Sequence, residues 1–237
     1  GIGALGVGTD YGNTMTMQYG LDVSSHPNVQ YHLPADLLPL GITAKVGYAP
    51  NMTDGQGNSF KNAGPVSPLA DAGNQMTGYT VGIAPIDGLT IAADYHETDG
   101  QLTTAVQEAQ SGNVGAQYAM GNFKVGYNKG YYGVGLSDKN ASVSKYENNA
   151  WGIEFAVNDA LSISYNEEKS KAFTDVAIAS GASTGTKTTV ESEIEVMQVA
   201  YVFGGATLGF HVADTGNADY VANKDEKVTI FTIAMDF

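Results

Sequence analysis

The chain has no cysteine and no arginine, and no apolar run that approaches membrane-helix length. Each absence removes a class of protein. Without cysteine there is no disulfide framework, no thiolate metal site and no Cys-based redox centre. The eleven basic residues are all lysines, set against 25 Asp and Glu, for a formal charge of −14. Such a field repels phosphate and favours cations, which excludes nucleic acid as a partner. A membrane-spanning helix needs roughly 18 consecutive apolar residues. Their lack rules out helical membrane proteins but not transmembrane barrels, whose signal is short alternating segments of low overall hydropathy. The chain opens on Gly1 with neither Met nor a secretory leader, so a cleaved leader or preceding sequence is expected.

Glycine and tyrosine are abundant instead, at 30 and 14 among 237 residues. Many turns and many half-exposed aromatic positions follow. The opening Gly1, Gly3 and Gly6 spell GxGxxG. A dinucleotide-binding turn needs a strand before it and a helix after it. Thr9 to Asn13, where the helix would start, are loop chemistry, so a Gly-rich loop is the reading.

The last eleven residues, from Lys227 to Phe237, set the pattern for the rest. Phe231, Ile233, Met235 and Phe237 fall on one parity; Ile230, Thr232, Ala234 and Asp236 fall on the other. Side chains alternate across a strand, so one face is apolar and aromatic while the other is mixed. The same alternation recurs upstream. Met15, Met17, Tyr19 and Leu21 open it; Val29, Tyr31 and Leu33 follow, then Ile42, Ala44, Val46 and Tyr48. Paired segments then meet at tight turns near Asp87–Gly88, Gly121–Asn122, Asn158–Asp159 and Gly204–Gly205. Long polar loops over 50–75, 97–112, 130–148, 167–189 and 214–226 separate the pairs. About twelve strands result, with short turns on one rim and long loops on the other, which is how transmembrane barrels are built. Phe123, Phe155, Leu161, Phe203 and Phe237 gather near the short-turn rim. Tyr19, Tyr48, Tyr79, Tyr95, Tyr127 and Tyr165 gather near the long-loop rim, as girdles at a membrane–water boundary would.

Two stretches carry a family resemblance. Asn28-Val-Gln-Tyr-His-Leu-Pro34, a short turn and Gly41-Ile-Thr-Ala-Lys-Val-Gly-Tyr48 resemble the strand–Pro-turn–strand after the constriction loop of bacterial outer-membrane general porins. The terminal Ala-Met-Asp-Phe237 resembles the end of that family's alphaproteobacterial branch, where an aromatic carboxy-terminus serves as an assembly signal. The resemblance implies an all-β, antiparallel up-and-down transmembrane barrel, a homotrimer in the bacterial outer membrane, with lipid and lipopolysaccharide around it. It implies about sixteen strands in the complete protein, with 28–237 supplying about eleven of them. The amino-terminal strands would then be absent, and residues 1–27 would lie in or just after the constriction loop. The family's basic eyelet wall departs from this chain, which has no arginine to build it. Residues 1–237 are read as one barrel domain.

For chemistry, Asp94, His96, Glu97 and Asp99 gather potential oxygen and nitrogen ligands, and hard cations such as Ca²⁺ prefer carboxylates. The EF-hand spacing fails here, so Asp94, Glu97 and Asp99 are weak Ca²⁺ candidates beside a solvated acidic strand end. His32 and His211 share faces with Gln30 and Thr207 and read as polar lining. No GxSxG elbow or hydrolase-like Ser, His and acid set is present. Glu191, Glu193 and Glu195 share parity with Met197 and Val199, so they should stand above the lipid.

The expectation is a non-enzymatic, water-filled channel for passive diffusion of small hydrophilic solutes and ions, with cation preference. Asp94, His96, Glu154, Lys45, Lys124, Gln198 and His211 are its expected lining, each on the polar parity of its strand. The alternatives are a substrate-specific channel of twelve closed strands and a barrel serving as an adhesin or phage-binding surface.

Overall fold

A computed structural model describes residues 20–34, 37–50, 75–99, 108–134, 142–175 and 188–235. Its strands are β1 (Val29–His32), β2 (Thr43–Ala49), β3 (Gln75–Ile86), β4 (Leu89–Asp99), β5 (Gln110–Met120) and β6 (Phe123–Gly133), followed by β7 (Ser142–Ala156), β8 (Leu161–Asp175), β9 (Thr188–Phe203), β10 (Ala206–Gly216) and β11 (Glu226–Met235). They form one sheet in which every strand pairs antiparallel with the next in sequence. That is up-and-down topology, and it is the expected one.

The short-turn rim is made by residues chosen for the bend. Gly204 and Gly205 take φ of 56° and 83°, two successive left-handed residues that match the twist of a β-hairpin. At Gly88, φ is 76° and a Cβ would lie 2.2 Å from the Ala119 carbonyl oxygen, so no side chain fits. Asn158 closes the β7–β8 turn without glycine, its Oδ1 accepting from the amides of Ala160 and Leu161. Pro85 sits at a register shift between Ile83 and Ile86, where a missing N–H costs no ladder bond.

Three expectations change. Eleven strands, not twelve, occur among the described residues. Leu21 precedes a 3₁₀ turn (Val23–Ser25) instead of continuing a strand, and the rest of Met15–Tyr19 lies outside the described residues, as do Gly1–Gly8 and Phe237. The expected loops 130–148 and 167–189 are shorter, because β6 runs to Gly133, β7 starts at Ser142, β8 runs to Asp175 and β9 starts at Thr188. Opposite charges explain the last extension. Lys169 faces Glu193 and Lys171 faces Glu191 across the ladder, so hydrophilic residues still pair as strand.

Register separates two faces. On the outer face, Phe155 stands between Phe123 and Ile163, Ile163 meets Val199, and Val199 meets Phe210, which meets Phe231. Phe155 and Val199 are half-buried by their neighbours, while Phe123, Val125, Tyr127, Ile163, Tyr201, Phe210 and Phe231 are exposed although apolar. A continuous apolar exposed band of this kind is what lipid covers. Phe123 and Phe155 stack at 4.4 Å near the short-turn rim. Towards the other rim the tyrosines aim their hydroxyls at polar groups: Tyr95 to Glu97 at 3.0 Å, Tyr165 to Glu195 at 2.6 Å. An apolar ring with its polar tip turned to the loops is the arrangement an interfacial girdle requires.

Candidate functional site

On the inner face, polar side chains stand in rows that cross the sheet. One row runs Lys124, Glu154, Ser164, Gln198, His211 over β6 to β10. Four of the seven expected lining residues therefore stand side by side. Lys124 Nζ is 3.6 Å from Glu154 Oε2, and Ser164 Oγ donates to Gln198 Oε1 at 3.4 Å. The other three gather on β2 to β4. Lys45 and Asp94 flank Thr80 in one row, and His96 lies two residues along β4 from Asp94. Asp94 Oδ1 accepts from Asn113 Nδ2 at 3.1 Å and lies 3.7 Å from His96 Nε2.

Above this second group a stretch of chain lies on the wall. Residues 20–28 cross the inner faces of β2 to β5. Leu21 N donates to Ser111 Oγ at 2.9 Å, and Val23 packs into space left by two glycines. A Cβ on Gly47 would lie 2.9 Å from Val23 Cγ1; one on Gly78 would lie 2.7 Å from Val23 Cγ2 and 2.4 Å from His96 Nδ1. Leu21, Val23, Ala49 and Met76 join one buried cluster, so apolar burial holds the segment down. Asp22 accepts from Ser24 N at 2.9 Å and, with Asp94 and Lys45, lies close enough to act on the charge of His96.

The inner face also carries residues that the sequence reading passed over. Glu168 and Asn166 are buried on the inward parity of β8, and Ser170 Oγ donates to Asn148 Oδ1 at 2.6 Å. The parity of Ser162, Ser164 and Asn166 points to Glu168 once β8 is allowed to continue past Glu167. A loop assigned from 167 hid it.

The three weak Ca²⁺ candidates do not converge. Asp94 is on the inner parity of β4, while Glu97 and Asp99 are on the outer one. Glu97 accepts from Tyr95 and Asp99 from Gln75, so each carboxylate serves its own face. A different acidic group, Glu167, Glu193 and Glu195, does converge on the outer face. Lys169 stands within it, 3.0 Å from Glu167 and 2.9 Å from Glu193, and Tyr165 donates to Glu195. With Lys145–Glu147, Lys171–Glu191 and Lys227–Asp214, it makes a band of opposite charges just beyond the aromatic girdle. Glu191, Glu193 and Glu195 stand beyond the apolar residues Met197 and Val199 along the same parity of β9. Lys169→Met should lower barrel stability by on the order of 1 kcal/mol or less, since these pairs are exposed. The loss should grow at low salt, where repulsion among the three acids is less screened; urea titrations at two ionic strengths check it.

No family model and no curated protein sequence matches the chain. Solved structures do. OmpF of Salmonella typhi, solved in complex with daunomycin, superposes with a TM-score of 0.57 at 15% identity, covering 87% of this chain and 61% of that one. Outer-membrane-expressed OmpT of Vibrio cholerae gives 0.55 at 13% identity, over 97% of this chain and 71% of that one. The in-vitro folded trimer form of the Vibrio cholerae protein gives 0.52 at 13% identity, over 94% of this chain and 69% of that one. The fold is that of a bacterial outer-membrane β-barrel. The chain spans 61% of the length of the Salmonella protein, and identities this low speak to the fold alone. In that fold the two faces are the Phe155–Val199–Phe231 side and the Lys124–Glu154–Gln198 side.

Proposed function

We propose that the protein is an outer-membrane porin, a water-filled channel through which small hydrophilic solutes and ions diffuse passively. The observation that carries the reading is a polar inner face with residues 20–28 laid across part of it. A passage narrowed by chain folded onto its own wall selects by size, and the charge on that wall selects among ions. No covalent step is involved, so the reading assigns no catalytic residue. Among the inner-face side chains, Asp22, Asp94, Glu154 and Glu168 outweigh Lys45 and Lys124, in line with the net charge of −14. Cation preference follows. Residues 20–28 would act as the constriction, with Asp94, His96 and Lys45 beneath it. Lys124, Glu154, Gln198 and His211 would line the passage nearer the short-turn rim. A homotrimer is the assembly this reading favours, supported by the trimer form of the Vibrio cholerae barrel.

The test is a salt gradient across a planar bilayer containing the native protein. The reversal potential should carry the sign of cation flow. A potential of anion sign would remove the cation preference, and Asp94→Asn should move the potential towards neutrality.

A further inference from the structure

We propose that the β10–β11 connection is a fixed lip that forms part of the channel wall, seated by Tyr220, and that it sets the width of the long-loop mouth on the β7–β9 side. The proposal rests on the porin reading of the inner face.

The wall itself gives the first indication. The inner parity of β9 carries Val202, Ala200, Val196 and Ile194, yet only its long-loop end is buried: Ile194, Val196 and Ala213 of β10 are 3%, 1% and 1% exposed, whereas Val202 near the short turn is open. Burial confined to one end of that parity means that something covers it there. The cover is the connection after β10, where Ala218 of the 3₁₀ turn Ala218–Tyr220 completes the same buried cluster with no exposure at all.

Tyr220 fixes the turn to the neighbouring strands. Its hydroxyl lies 2.7 Å from Ser170 Oγ. Since Ser170 Oγ donates to Asn148 Oδ1, the tyrosine hydroxyl is the donor in the pair. Its ring tilts against Tyr146 at 5.1 Å, and Tyr146 in turn stacks near Tyr132 at 6.1 Å. Asn148, Ser170 and Tyr146 are buried inner-face residues of β7 and β8, so the contact reaches across the wall and away from β10 itself.

The connection is also tied to itself and to its stem. Asn217 Nδ2 donates to the Glu191 carbonyl at 2.8 Å, Asn223 N donates to Asn217 Oδ1 at 2.9 Å, and Ala218 N donates to the Lys224 carbonyl at 2.6 Å. Lys224 bridges Asp219 and Glu226, and the two carboxylates hold its ammonium above the usual lysine pKa. Asn217, Asp219, Tyr220 and Asn223 all take left-handed backbone, with φ between 50° and 63°. A chain with 30 glycines places none between Asn217 and Lys227. Side chains accept this conformation where surrounding contacts over-determine it. A connection needed only to span two strands has no reason to bear it; a seated one does.

The lack of cysteine makes a direct test clean. Val196→Cys introduces one thiol beneath the lip of the native protein in its membrane. That thiol should resist a bulky membrane-impermeant maleimide, and it should lose the protection when Tyr220→Ala is added. Tyr220→Ala alone should raise unitary conductance and admit larger neutral sugars in liposome swelling. Tyr220→Phe, which keeps the ring and removes one hydrogen bond, should retain protection and conductance near the parent values. Heat-modifiable gel mobility confirms that each variant is folded. Rapid labelling of Val196→Cys in the otherwise native barrel would overturn the seated lip. Protection with conductance and sugar entry unchanged in Tyr220→Ala would overturn its role in setting the width. Absence of any conductance in the parent protein, with Val196→Cys protected, would overturn the porin reading while leaving the lip in place.

Discussion

Ile163→Lys should prevent stable insertion of the barrel, while Ser164→Lys, one residue along, should leave it folded and conducting. Ile163 is exposed on the outer face of β8 between Phe155 of β7 and Val199 of β9, with Leu161 and Tyr165 on either side along the strand. It stands near the middle of the apolar band, where a lysine costs about 2–4 kcal/mol against lipid. Ser164 faces inwards between Glu154 and Gln198, where water and a carboxylate receive the ammonium. A difference of 2–4 kcal/mol between adjacent positions is about 30- to 1000-fold in the folding equilibrium. Urea unfolding in lipid vesicles reads it directly. Equal losses at the two positions would mean that the faces are assigned wrongly.

Gly78→Val should reduce the mean open current and make it noisy. The first added carbon would meet His96 Nδ1 at 2.4 Å and Val23 Cγ2 at 2.7 Å, and both side chains are buried. Neither is the far end of a long flexible chain. Residues 20–28 must therefore rise from the wall into the passage, at an overpacking cost of about 1–3 kcal/mol. A segment no longer held by the Gly47–Gly78 seat moves in the current path, and current variance reports the motion. Gly82→Ala is the control. Its Cβ would meet Thr43 Oγ1 at 2.7 Å, a hydroxyl that rotates away, so the current should match the parent. An unaltered trace in Gly78→Val would show that residues 20–28 do not sit in the path.

Much of this architecture is legible in the sequence because a barrel strand is read by parity alone. Phe231, Ile233 and Met235 declare the outer face of β11 with no knowledge of its neighbours, and Trp151, Ile153 and Phe155 do so for β7. The shared face of the seven expected lining residues follows from the same rule, and register shows which of them stand together. What parity misses is where a strand stops. Glu167, Lys169 and Lys171 look like loop because they are charged, yet their partners Glu193 and Glu191 make them strand. Glu168 was lost with them. Parity also says nothing of chain folded back onto the wall. Val23 and Tyr220 reach their places through residues distant in sequence, Val23 against Gly47 and Gly78 and Tyr220 against Ser170, and no local pattern announces them. Ile194, Val196 and Ala213 are buried through Ala218, and their apolar character alone does not mark them, since Val202 and Ala200 share the same parity. The carboxylates of Asp94, Glu97 and Asp99 show the reverse error, since nearness in sequence places them on opposite faces of one strand.

The most direct test of the channel is the single-channel record of the native protein, extracted from the outer membrane and reconstituted in a planar lipid bilayer. Stepwise insertions with ohmic current that scales in proportion to the conductivity of the bathing salt are the predicted result. A folded, inserted barrel that passes no current, or one whose current saturates and appears with a single solute only, would contradict a water-filled diffusion pore.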